Sequence, residues 1–177
     1  MYRVLYASSQ KLGCYLETLA RFRVDITLYA ELAAIEGQDD FVPLGQVPIQ
    51  WVEKRILGFA GHEGRYADLY GSDWIGALRR ELAGDCVALG LSDLDAAILQ
   101  ASAPRALTQR ASRIAFRSGF DGVHYRSKYG HDVQNWALFE PFKLNPDKSE
   151  EIQLSDAALE KALNIHGLRL AIQDALS

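Results

Sequence analysis

A chain of 177 residues, 49% apolar and 24% charged, has a globular composition and is long enough to bury one sizeable core. Its formal net charge of -4 argues against direct nucleic-acid binding, which needs a basic surface to displace counterions, and the lone Cys14 and Cys86 argue against a disulfide scaffold or a zinc site. No stretch approaches the roughly 18 apolar residues of a membrane span and no basic leader runs into an apolar segment, so neither membrane insertion nor secretion is expected, and a reducing cytoplasm is the expected location.

Residues Arg3 to Ala7 read as a short strand, and Ser8 or Ser9 offers an oxygen to cap the next helix. From Lys11 to about Arg21, Leu12, Tyr15, Leu16 and Leu19 recur at helical spacing and make one buried stripe. Glu17 falls off that stripe, one turn after Gly13, whose missing side chain leaves room for a ligand beside the carboxylate. The helix alone favours reading Glu17 as a solvated charge.

Gly37 to Pro48 read as loop, and Ile49 to Phe59 as a strand or extended segment. Gly58, Gly61 and Gly64, with His62 among them, punctuate a turn, but they lack the strand-to-helix context of a dinucleotide fingerprint. Ser72 or Asp73 is expected to cap a helix through Trp74, Leu78 and Leu82, with a shorter helical or turn segment around Asp93 to Gln100. Thr108 to Phe116 reads as helix. It carries Arg110, Arg113 and Arg117, a row that suits a solvated face or an anion-binding one.

Val123, Tyr125 and Ser127 alternate with His124 and Arg126 at the period of a strand. Lys128 to Asp132 turns the chain, and Asn135 to Phe139 alternates again, so a paired second strand is expected. Beyond Pro141 the polar run LNPDKSEEI reads as a linker, followed by a helix from Asp156 to Leu163 and a further helical segment from Leu168 to Leu176, interrupted at Gly167. The expected organisation is a domain over 1–145 and, over 146–177, a polar linker with a helical C-terminal tail. The fold class is α+β, with a mixed, mostly antiparallel central sheet and flanking helices.

Three familiar catalytic plans are absent from the sequence: no HExxH or clustered Cys/His set for a metal, no GxSxG elbow and no Walker loop. His62, His124, His131 and His166 are scattered. Tyr6 at the end of the first strand, Glu17 in the next helix and Ser127 at a strand end are singled out by the resemblance given below. Such a set suits cleavage of a glycosidic bond to a cationic nicotinamide: the ribose gains oxocarbenium character as the bond breaks, and a fixed carboxylate stabilises it. A Ser can hold the ribose by hydrogen bond and a Tyr ring can stack on the nicotinamide. Taken singly, each of the three also fits a purely structural role.

LYASSQKLGCYLETLA and DGVHYRSKYGHDVQNWALFE resemble, in order and spacing, the corresponding runs of the RES domain family, named for an Arg, a Glu and a Ser. The resemblance covers Tyr2 to about Pro141. It implies an ADP-ribosyltransferase-like fold and a single NAD-binding cleft on which Tyr6, Glu17 and Ser127 converge, with Glu17 and Ser127 catalytic and all three binding NAD as substrate, without a metal. It further implies NAD degradation or ADP-ribosyl transfer by the toxin of a toxin–antitoxin pair, whose antitoxin partner carries a helix-turn-helix domain and blocks the cleft. The alternative is a degenerate RES-fold protein acting only as an interaction module. A homo-oligomer is left open. The family's Arg belongs upstream of the strand that ends in Tyr6, where this sequence opens, and no residue here takes its role. Arg3 lies inside that strand, on the face opposite Val4 and Tyr6.

Overall fold

Three runs of alternating residues, Val4–Ser8, Gly122–Ser127 and Gly130–Phe139, build the central sheet of the computed structural model, which describes residues 2–33, 44–100 and 105–171. In chain order the elements are β1 (Val4–Ser8), α1 (Lys11–Leu19), a 3-10 turn (Ala20–Phe22), α2 (Ile26–Ala33), β2 (Gly45–Pro48), α3 (Ile49–Glu53), β3 (Ile56–His62), β4 (Tyr66–Asp68) and α4 (Ser72–Glu81). There follow α5 (Ala83–Ala88), α6 (Ala96–Gln100), α7 (Arg105–Arg117), β5 (Gly122–Ser127), β6 (Gly130–Phe139), β7 (Leu144–Glu151), α8 (Ala157–His166) and β8 (Leu168–Ala171). No helix among the described residues is long and apolar enough to cross a membrane.

The chain divides into two compact units, one of Met1–Ser9 with Ala60–Pro146 and one of Gln10–Phe59 with Asp147–Ser177. The first contains a four-stranded sheet in the order β1-β6-β5-β4, with β6 antiparallel to both β1 and β5 and β4 parallel to β5. The expected mixed, mostly antiparallel sheet of an α+β fold is therefore present. The opening strand is paired within it: Tyr6 faces Ala137, which faces Val123, which faces Ala67. Facing residues project from the same side of a sheet. On that side Ala67, Val123, Ala137 and Phe139 are buried together with Ala115 of α7. The Tyr2 ring stacks on Phe116 at 4.4 Å, and its hydroxyl lies 2.9 Å from Ser112 Oγ. A second buried cluster joins Leu78, Leu82, Cys86, Leu94, Leu99, Leu107 and Ala111, which explains why the apolar spacing of α4 and α7 is helical.

In the second unit the α1 stripe Leu12, Tyr15, Leu16 and Leu19 is buried as its spacing predicts, against α8 with its buried Leu159, Ala162 and His166. Asp156 caps α8, its Oδ1 accepting from Ala158 N at 2.8 Å, while Oδ2 accepts from Tyr15 Oη at 3.3 Å. Gly167 ends the helix in the left-handed conformation with φ 63°. His166 Nε2 donates to Leu16 O at 2.8 Å, and burial holds the imidazole below its ordinary pKa. A histidine kept neutral by folding contributes stability that is complete above the unfolded value of 6.5 and is lost as pH falls below it, because the unfolded chain then takes the proton more readily. Chemical denaturation should therefore show stability falling between about pH 6.5 and pH 5, above the usual carboxylate range, and His166→Gln should flatten that slope.

Several expectations need correction. Ser8 and Ser9 do not cap α1, whose N-cap is Gln10 without a side-chain bond. Their hydroxyls turn to β6 instead: Ser8 Oγ donates to Gln134 O, and Ser9 Oγ accepts from Gln134 N. Residues 45–48 form a strand rather than loop because β8 lies alongside in parallel register, Gly45 facing Leu168. Ile49–Glu53 is helical rather than extended and buries Trp51 and Val52, and β3 runs through Gly58, Gly61 and His62, leaving only Gly64 of the expected turn in the connection to β4. The supposed linker is strand β7, paired with β3. Residues 168–171 are strand β8, not helix. The rest of that segment, from 172 onward, and residues 37–43 of the expected loop lie outside the described residues.

Candidate functional site

Tyr6 is the middle residue of β1, which is the outermost strand of its sheet. A strand position suggests core, but an outer strand has neighbours on one side only, and the Tyr6 side chain is 71% exposed. Its ring is available to stack on a planar ligand.

Ser127 ends β5 just beyond a register shift between Arg126 and Ser127 and faces Gly130 across the hairpin. It is 1% exposed, and its Oγ accepts from Tyr129 N at 3.1 Å. The hydroxyl oxygen thus closes the two-residue turn that joins β5 to β6. That bond gives Ser127 a local structural job. It also fixes the position of the side chain. Val123 and Tyr125 alternate along β5 on the Tyr6 side of the sheet, and Ser127 follows them at the strand end, beyond the register shift.

Asn135 is a site candidate the sequence reading missed. It lies on β6 between Ser8 of β1 and Tyr125 of β5, on that same face, and is 1% exposed. The signal was its parity: Asn135, Ala137 and Phe139 alternate with Trp136 and Leu138, and an amide in phase with buried Ala and Phe is a polar group taken out of water. The opposite face carries a second polar group in unit 1. The Trp136 ring lies 5.1 Å from both the His62 and His124 rings, His62 Nδ1 is 3.1 Å from Tyr66 Oη, and His124 Nδ1 is 3.5 Å from Asp68 Oδ1.

Glu17 belongs to the second unit, on the exposed side of α1. Within that unit its negative charge acts to raise the pKa of His166, against the larger lowering by burial. Gly13 is itself buried, so the open surface expected beside Glu17 on its N-terminal side is filled by protein. Arg3 is engaged elsewhere: Nε and Nη2 donate to the two Glu140 oxygens at 3.0 and 2.6 Å, and the pair holds the Glu140 carboxyl below its ordinary range. In the Arg row of α7, Arg110 pairs with Asp85, while Arg113 Nε donates to Gln109 O at 3.4 Å and Arg113 and Arg117 are exposed. Among the described residues no group of three or more His, Cys, Asp or Glu side chains could hold a metal ion.

No family model, curated protein or solved structure matches this chain.

Proposed function

We propose that the chain is a RES-type NAD-consuming enzyme on an ADP-ribosyltransferase-like fold, cleaving the nicotinamide–ribose bond or transferring ADP-ribose. The observation that carries the reading is the exposed Tyr6 ring on the outer strand of the sheet that also holds the Ser127 hydroxyl at the end of β5, in a chain whose next helix presents an exposed Glu17. On this reading Tyr6 stacks on the nicotinamide and Ser127 holds the ribose. Glu17 supplies negative charge to the sugar as the neutral nicotinamide departs, which lowers the barrier because that charge is worth more in the transition state than in the ground state. As in the family that the sequence resembles, the enzyme is the toxin of a toxin–antitoxin pair, held inactive by a partner with a helix-turn-helix domain.

The test is incubation of the purified chain with NAD, with nicotinamide release followed by chromatography. Release that falls in Ser127→Ala, with KM raised about tenfold in Tyr6→Ala for the loss of roughly 1.4 kcal/mol of stacking, supports the reading. No release by the wild-type chain, alone or with an acceptor protein, removes it. A non-catalytic interaction module is the second reading, favoured by the burial of Ser127 and its bond to the turn; it predicts that Ser127→Ala lowers stability and changes nothing in NAD.

A further inference from the structure

The outer edge of β1 carries an inference that stands apart from the proposed activity. In the antiparallel pair with β6, Glu140 N donates to Arg3 O at 3.1 Å and Ser9 N donates to Gln134 O at 2.9 Å. Both residue pairs belong to the β1–β6 register, so Arg3, Leu5, Ala7 and Ser9 turn their backbone groups toward β6. The N–H and C=O groups of Val4, Tyr6 and Ser8 then point away from the sheet. Among the described residues no strand pairs with them on that side. Native edge strands are usually protected by a charge, a proline or a bulge. Val4–Ser8 has none of these, and it exposes Leu5 at 39% and Tyr6 at 71%.

The geometry points to a second copy of this chain as the occupant of that edge, paired antiparallel through a two-fold axis at Tyr6. The strand's midpoint is Tyr6, and its outward groups sit at positions 4, 6 and 8. Centred there, Val4 faces Ser8 of the second copy and Tyr6 faces Tyr6, each facing pair exchanging both backbone bonds. Other registers leave outward groups of β1 without a strand residue opposite. The side chains agree with this choice. Leu5 meets Ala7, and Arg3, already bound to Glu140, meets Ser9, so no like charges oppose across the axis. A two-fold contact is self-complementary and closes after two copies, joining the two four-stranded sheets into one. Because the pairing runs through the backbone, the Tyr6 ring stays on its own sheet face.

Sedimentation velocity over a wide range of concentration on the full chain is expected to show a reversible monomer–dimer equilibrium. Two variants target the edge without altering the backbone bonds to β6: Ser8→Pro removes an outward N–H together with the exposed Ser8 Oγ bond to Gln134 O, and Leu5→Lys places a charge on the edge. Each is expected to weaken the dimer at least tenfold while the far-ultraviolet spectrum and melting temperature hold. Amide exchange on the wild-type chain gives a measurement that needs no variant: the Val4, Tyr6 and Ser8 amides should slow as concentration rises, and those of Leu5 and Ala7 should not. A wild-type chain that is monomeric throughout overturns the proposal, as does a dimer that both variants leave intact or one whose Val4, Tyr6 and Ser8 amides exchange independently of concentration.

Discussion

On the proposed reading, Glu17→Gln should cut NAD loss by at least about a hundredfold, the scale on which removing one preorganised electrostatic partner of a transition state acts. The substitution keeps the shape of the side chain and removes only its charge. Glu17 lies off the buried stripe of α1 and is exposed, so the unfolding free energy should move by no more than about 0.5 kcal/mol, as for an ordinary surface change. Paired measurements of nicotinamide release and urea denaturation separate the two effects. Undiminished release in Glu17→Gln would strip the carboxylate of its role; a large loss of stability would mean that it serves the fold.

The largest expected effect on stability comes from Gly45→Ala. A Cβ at position 45 would sit 2.1 Å from Phe22 O and 2.6 Å from Leu168 Cδ2. The leucine can rotate away, but the carbonyl belongs to the backbone of the 3-10 turn that follows α1. Gly45 is also tied down, its N–H donating to Gly167 O at 2.9 Å and its strand paired with β8. Relief requires moving one backbone away from another, a cost of about 3 kcal/mol or more, at the upper end of overpacking penalties. Equilibrium urea unfolding followed by circular dichroism measures it, and Gly58→Ala is the control, since a Cβ there meets nothing within 4 Å. Equal losses in the two variants would contradict the close approach.

Where a segment's period and length pointed to one answer, the sequence reading and the structure agree. Leu12, Tyr15, Leu16 and Leu19 recur at helical spacing and are buried on α1. Leu78 and Leu82 do so around α4, and Val123 to Ser127 and Asn135 to Phe139 pair as β5 and β6. The capping Asp156 and the left-handed Gly167 bound α8. Such elements are local: their residues meet neighbours three or four positions away, or across a short hairpin, so spacing alone carries the information.

The misreadings share a different physics. Gly45–Pro48 and Leu144–Glu151 contain Gly, Pro, Asn and charged residues and have poor strand propensity, yet each becomes a strand because a distant partner, β8 or β3, supplies its ladder. Ser8 and Ser9 have the chemistry of a helix cap, but β6 offers their hydroxyls nearer partners at Gln134. The candidate site divides along the same line. Tyr6, Glu17 and Ser127 were selected, and Arg3 left unassigned, by the resemblance of two runs of sequence. The exposure of Tyr6 on an outer strand, the burial of Ser127 in its turn, the filling of the space at Gly13 and the amide of Asn135 in the same sheet face were decided only by tertiary structure, because burial and strand order depend on residues far away along the chain.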